Sequence, residues 1–110
     1  MANEFSQHIF DQLAELGEIE MGRFFGGTGF KIGGVQFAMC MGSSLYLVVN
    51  DQTRGKYQQA GSGPFSYNTR KGQRLVHRYY QVPDEILEDH DQLIHWVQES
   101  IGISIKSRNL

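Results

Sequence analysis

The run Gly29-Phe30-Lys31-Ile32-Gly33-Gly34-Val35-Gln36-Phe37-Ala38-Met39-Cys40-Met41-Gly42-Ser43-Ser44-Leu45-Tyr46-Leu47-Val48-Val49 follows a hydrophobic period of two. Val35, Phe37, Met39 and Met41 alternate with Gln36, Ala38 and Cys40, so one face is bulky and the other small. The alternation predicts that the bulky set meets a layer of helices and that Cys40 lies on the opposite face. Gly33-Gly34 and Gly42-Ser43 interrupt the run where tight hairpin turns need positive φ. The pattern is an antiparallel meander of three strands, Gly29–Ile32, Val35–Met41 and Leu45–Val49. Met21–Phe25 is a candidate short strand before them. Leu45–Val49 is apolar on both sides, which suits an interior strand covered at least partly on its second face.

Outward from this core the period returns to that of a helix. Phe5, Ile9, Leu13 and Leu16 form one amphipathic stripe, with Asn3 or Ser6 as N-cap and Gly17 as terminator. After the meander, Asn50 and Asp51 cap a short second helix, Gln52–Ala60, which Gly61-Ser62-Gly63-Pro64 breaks. Phe65–Asn68 and Leu75–Val82 read as a hairpin joined through Thr69-Arg70-Lys71-Gly72, and Pro83 opens a helical turn. Asp89 with Gln92 starts the last helix, whose apolar stripe is Leu93, Trp96, Val97 and Ile101. Gly102 is its expected end, and Ile103–Leu110 shows no period. Trp96 is expected between this helix and the sheet. The order α-β-β-β-α-β-β-α implies an α+β two-layer sandwich, an antiparallel sheet of about five strands with helices packed on it.

Length and composition set the class. One domain over residues 1–110 is expected, since 110 residues support one core. Apolar residues make up 40% and charged residues 20%, a globular and not a disordered balance. The longest strongly apolar run is five residues, Leu45–Val49, far short of the ~20 of a membrane helix. No Lys or Arg precedes Arg23, which argues against a secretory leader. A lone cysteine, Cys40, forms no intrachain disulfide and favours a reducing compartment. A cytoplasmic, non-membrane location is expected.

Motifs for chemistry fail one by one. Gly22 and Gly27 have the phosphate-loop spacing, but Thr28 stands where the lysine must neutralise phosphate charge. Gly27-x-Gly29 is followed by Ile32 where a dinucleotide fold needs its third glycine. Gly26-Gly27-Thr28-Gly29 therefore reads as a turn or bulge at which backbones approach closely. His90 and His95 are five apart, on different helix faces, and Cys40 lacks a CxxC partner, so no metal site is expected. Ser43, Ser44 and Ser62 lie in no nucleophile elbow. No catalytic residue and no cofactor is expected.

Charge is segregated. The net charge is −2, yet Arg23 to Arg78 holds eight basic residues and one acid, Asp51. Residues 1–22 carry five acids and no base, and Asp84–Glu99 six acids and no base. Arg70, Lys71, Arg74 and Arg78 concentrate on one hairpin beside Tyr67, Tyr79 and Tyr80, with Arg74 and Arg78 expected on one strand face. These four form the candidate interaction surface, able to meet an acidic protein or a phosphate backbone. The competing reading is that they guard a sheet edge and pair with the acidic helices.

Phe25-Gly26-Gly27-x-Gly29, Leu45-Tyr46-Leu47, Phe65-x-Tyr67, Arg70-Lys71-Gly72, Tyr79-Tyr80-x-Val82-Pro83, Leu87-Glu88-Asp89 and Trp96 occur in an order that resembles the TfoX/Sxy N-terminal domain. The likeness spans about Phe5 to Ile101, with Phe24 where the family pattern has Met. It implies an α+β fold and a role in regulating natural competence, where longer relatives help activate DNA-uptake genes alongside the cyclic-AMP receptor protein. Those relatives carry a C-terminal helical domain, which is expected to be absent from this chain. The expected function is a non-enzymatic regulatory module acting through protein partners, with the transcription machinery as one candidate. The alternative is a nucleic-acid-binding module using the Arg70–Arg78 hairpin, and a homodimer is left open.

Overall fold

A computed structural model describes residues 3–108. Its elements are α1 (Glu4–Leu13), a 3-10 turn (Ala14–Leu16), β1 (Ile19–Phe24), β2 (Gly27–Ile32), β3 (Val35–Met41), β4 (Ser44–Val48), α2 (Arg54–Gln59), β5 (Pro64–Thr69), β6 (Gly72–Gln81), α3 (Asp84–Leu87) and α4 (His90–Arg108). The strands form one sheet in the order β1-β2-β3-β4-β6-β5, with every neighbouring pair antiparallel. This is the expected α+β architecture, with six strands where about five were expected. The sixth is β1, an edge strand whose charged Glu20 and Arg23 and central Gly22 blur its period.

Local chemistry explains the element ends. The Asn3 side chain accepts the Ser6 amide at 2.8 Å and caps α1. Gly33 and Gly34 have φ of 57° and 79°, the two positive values that a two-residue hairpin turn requires. Asn50 Oδ1 accepts the amides of Gln52 and Thr53 at 3.0 and 2.9 Å, which folds the turn leading into α2. Asp89 accepts the Gln92 amide at 3.2 Å and its side-chain amide at 2.9 Å, holding the first turn of α4.

Two apolar clusters occupy the two sides of the sheet. The larger lies under the helices and contains Ile9 and Leu13 of α1, Leu45 and Leu47 of β4, Tyr80 of β6, and Leu93 and Val97 of α4. Fully burying side chains of this kind contributes about 1.5–3 kcal/mol each. The smaller cluster centres on Met39, Val48 and Tyr79. Adjacent residues of β4 and β6 thus alternate between the two clusters.

The register of β3 departs from simple alternation. Phe30 pairs with Ala38 but Lys31 pairs with Gln36, which leaves Phe37 as an extra residue, a β-bulge. Before the bulge, the expected face holds, and Phe37 is buried under the helices. After it, the faces exchange. Ala38 and Cys40 join the helix-side core, while Met39 and Met41 turn to the other face. The expectation that Cys40 lies opposite Phe37 is therefore corrected: one inserted residue reverses every side chain beyond it. Burial raises the Cys40 thiol from 9.0 to about 11, partly countered by the Ser6 hydroxyl of α1.

The last helix also exceeds its expected end, since α4 continues through Gly102 to Arg108. Ser100 and Ser104 are buried, and the Ser100 hydroxyl donates to the Val48 carbonyl at 2.8 Å. Docking of this small-residue face on β3 and β4 outweighs the cost of about 1 kcal/mol of one helical glycine. Residues 109 and 110 of the tail lie outside the described residues. Trp96 is partly buried at the core margin, its ring edge-on to Tyr57 of α2 at 4.6 Å. Lys56 Nζ sits 4.4 Å from the Trp96 ring centroid and pairs with Glu99 at 2.7 Å, so Trp96 joins α4 to α2.

Candidate interaction surface

The helices lie on one face of the sheet, with Ile103 near the end of α4 also reaching the Met39–Val48–Tyr79 cluster, and the other face carries a rimmed apolar groove of about 440 Å³. Its floor is Met39 of β3 and Tyr79 of β6. One wall is Phe24 and Phe25 at the β1–β2 turn, the other Phe65 and Tyr67 of β5 with Val76 of β6. The walls come from opposite edges of the sheet.

Glycines bring these walls together. A Cβ on Gly27 would lie 2.2 Å from the Cys40 carbonyl oxygen, and one on Gly29 would lie 3.2 Å from Phe24 Cβ. Without side chains at 27 and 29, β2 is a flat track over which Phe24 leans inward, its ring 6.4 Å from Tyr79. The expectation of close backbone approach at Gly26–Gly29 is met at Gly27. Its consequence, a groove, was not read from the sequence.

Phe25 is the unusual member. It has φ of 45°, the only positive value at a non-glycine among the described residues, and the residue is 83% exposed. With Gly26 at φ 79° it makes the two-residue β1–β2 turn, a position that asparagine or glycine fills at less strain. An exposed aromatic held in strained backbone gains nothing for folding beyond its edge-on contact with Phe24 at 4.7 Å. Tyr67 is 50% exposed and stacks on Phe65 at 6.3 Å, and Tyr46 meets Phe65 edge-on at 5.3 Å. The Tyr79 hydroxyl of the floor accepts a hydrogen bond from Gln36 at 3.2 Å. Burial raises the Tyr79 pKa, opposed by that hydrogen bond and by the Arg78 charge.

The basic hairpin borders the groove. Arg70 and Lys71 form its tip, where Thr69 Oγ1 donates to the Gly72 carbonyl at 2.9 Å and accepts the Lys71 amide at 3.2 Å. Arg74 pairs with Tyr67 and shares the groove face. Arg78 does not. Pro64 opposes Tyr80 while Phe65 opposes Val76, so β6 slips against β5, and Val76 and Tyr79, three apart, both reach the groove. Arg78, next to Tyr79, alternates onto the opposite face. The expectation that Arg74 and Arg78 share a face is corrected by this second irregularity.

All four cations are exposed, and none has an ion pair among the described residues. The described ion pairs are Arg54–Asp51, Lys56–Glu99 and His90–Glu15, none of which includes one of the hairpin's four cations. Pairing with the acidic helices therefore does not occupy Arg70, Lys71, Arg74 or Arg78. Among the described residues, no group of three or more His, Cys, Asp and Glu is placed to hold a metal, and no helix is long and apolar enough to cross a membrane.

An antiparallel sheet with helices on one face and an aromatic groove on the other defines an α+β domain with an open sheet surface. The chain belongs to the TfoX N-terminal domain family, whose family model matches residues 11–103. A search of curated proteins found no match. Phe25 of the Phe25-Gly26-Gly27-x-Gly29 stretch stands in one wall of the groove, and Phe65 and Tyr67 of the Phe65-x-Tyr67 stretch stand in the other.

Proposed function

We propose that this chain is a non-enzymatic regulatory module that acts in the cytoplasm through protein contacts, in the transcriptional control of DNA-uptake genes. The observation that carries this reading is the groove: an exposed, strained Phe25 and a half-exposed Tyr67 flank an apolar floor. Rigid aromatics around a desolvated pit are the usual anchors of protein interfaces. Family membership supports the competence setting.

The test replaces Phe25→Gly together with Tyr67→Ser in the organism that encodes the chain. Transcripts of DNA-uptake genes should fall while the variant remains folded and present at wild-type level. Unchanged transcripts with a folded double variant would remove the groove from the function.

One observation favours a second reading, nucleic-acid binding: four exposed cations without ion pairs on one hairpin. Phosphate binding of that kind weakens steeply and log-linearly with salt. Arg78→Glu, on the face away from the groove, would then weaken binding as much as Arg74→Glu.

A further inference from the structure

We infer that the groove receives a segment of a partner protein in which an aromatic or branched aliphatic anchor is flanked by carboxylates. This rests on the reading of the groove as a contact surface and names the chemistry of its occupant.

Three features of the groove select that chemistry. The first is its lining. Phe24, Phe25, Phe65 and Tyr67 already pair with one another, Phe24–Phe25 edge-on and Phe65–Tyr67 stacked. Their arrangement encloses a pit and does not present a row of flat rings. The one polar group of the floor, the Tyr79 hydroxyl, already accepts a hydrogen bond from Gln36. A nucleobase entering such a pit would leave its edge donors and acceptors unmet, a cost that an apolar side chain does not incur.

The second feature is charge. Between Met21 and Pro83 the chain has one carboxylate, Asp51, and Arg54 holds it at 2.8 Å. No acid lines the groove, whereas Arg74 stands across from Tyr67 at its rim and Arg70 and Lys71 lie at the adjoining tip. A basic or neutral occupant would leave these cations without partners. An acidic one supplies them, and the charge-assisted contacts form outside the apolar pit, where both ions keep part of their hydration.

The third is size. A volume of about 440 Å³ suits one or two large side chains and is too small for a packed domain face. A short segment with one anchor therefore fits better than a broad surface. The acidic helix layer of a second copy has the right charge. It would, however, meet the groove through a heterologous contact, which propagates into open chains unless the rotation closes.

The experiment selects binders from a random peptide library displayed on phage, using the wild-type chain, with counter-selection on Phe25→Gly. That variant relieves the backbone strain at residue 25, so a loss of binding does not stem from unfolding. The selected sequences should be enriched in Asp and Glu within a few residues of Phe, Trp, Leu or Ile. The strongest of them, made as a labelled peptide of about a dozen residues, is then followed by fluorescence anisotropy. Its affinity should fall about tenfold or more for Phe25→Gly, for Arg74→Glu, and for a peptide with Asn and Gln in place of its acids. Arg78→Glu should have a much smaller effect. Three peptide results overturn the inference: selected peptides without acid enrichment, no peptide that depends on Phe25, or displacement of the peptide by oligothymidine with equal loss at Arg74 and Arg78. Self-association that Phe25→Gly abolishes would also overturn it, in favour of a second copy. If peptides fail while Phe25→Gly with Tyr67→Ser still silences the DNA-uptake genes, only the partner chemistry is wrong. If the genes are unaffected, the functional reading itself fails.

Discussion

Gly27→Ala tests how the groove is built, because its neighbours are backbone. The new methyl would lie 2.2 Å from the Cys40 carbonyl oxygen and 2.5 Å from Met41 Sδ. The sulfur can swing aside, but the carbonyl is fixed in the sheet next to the Thr28–Cys40 pairing. Relief therefore means moving β2 from β3 by about 1 Å and weakening one or two ladder hydrogen bonds, at about 1 kcal/mol each. With overpacking strain of about 1–3 kcal/mol, the expected loss is about 3 kcal/mol, or roughly 10 °C or more in Tm. Gly29→Ala meets a softer obstacle, the Gln36 side-chain oxygen at 2.7 Å, and should cost about 1 kcal/mol as Gln36 leaves the Tyr79 hydroxyl. Gly22→Ala meets nothing within 4 Å and should be neutral or slightly stabilising. Urea unfolding followed by circular dichroism and Trp96 fluorescence gives the three values on one scale. A Gly27→Ala variant that unfolds at or above the wild-type midpoint would refute the flat-track account of β2.

Trp96→Ala should cost about 2 kcal/mol, below the range for a fully buried tryptophan, since the ring is only partly covered; the urea midpoint reads it. Asn50→Ala should cost about 1 kcal/mol by removing the acceptor of the Gln52 and Thr53 amides, seen as the same midpoint shift and faster amide exchange in α2. The Cys40 thiol is raised from 9.0 to about 11, so the fold favours its protonated form. Its contribution is intact below about pH 9 and is lost as pH rises through about 11, by about 2–3 kcal/mol. Cys40→Ala should lack that component of the alkaline loss when midpoints at about pH 8 and about pH 11 are compared.

The sequence carried most of the fold because each element is locally consistent. The stripe of α1, the paired glycines at 33 and 34 and the asparagine turn at 50 all agree with the structure. The misplacements share one cause. The bulge at Phe37 and the slip between Val76 and Tyr79 each change which side chains share a face; ordinary strand residues surround the first, and the second is marked only on the partner strand, by Pro64. Cys40 and Arg78 were displaced by these two irregularities. The groove was missed for a related reason, since its walls lie on opposite edges of the sheet and about forty residues apart in the chain. The one local signal was Phe25, a bulky residue directly before Gly26-Gly27 where a hairpin turn would favour asparagine or aspartate.

The edges of the sheet sharpen the argument that its open face is the contact surface. A sheet that recruits partners by strand addition exposes an unblocked edge. Here β5, one edge, begins with Pro64, which has no amide hydrogen to donate. The other edge, β1, carries Glu20, Gly22 and Arg23, a sequence poor in strand propensity and marked by charge. Each edge is thus blunted, β5 by one missing donor and β1 by charge, whereas the face they border keeps Phe25 and Tyr67 exposed. Protection against nonspecific association would have removed those rings first, because they cost solubility and, for Phe25, backbone strain. A partner that binds by side chains in the groove, and not by extending the ladder, is the arrangement under which blunted edges and an unguarded face are consistent.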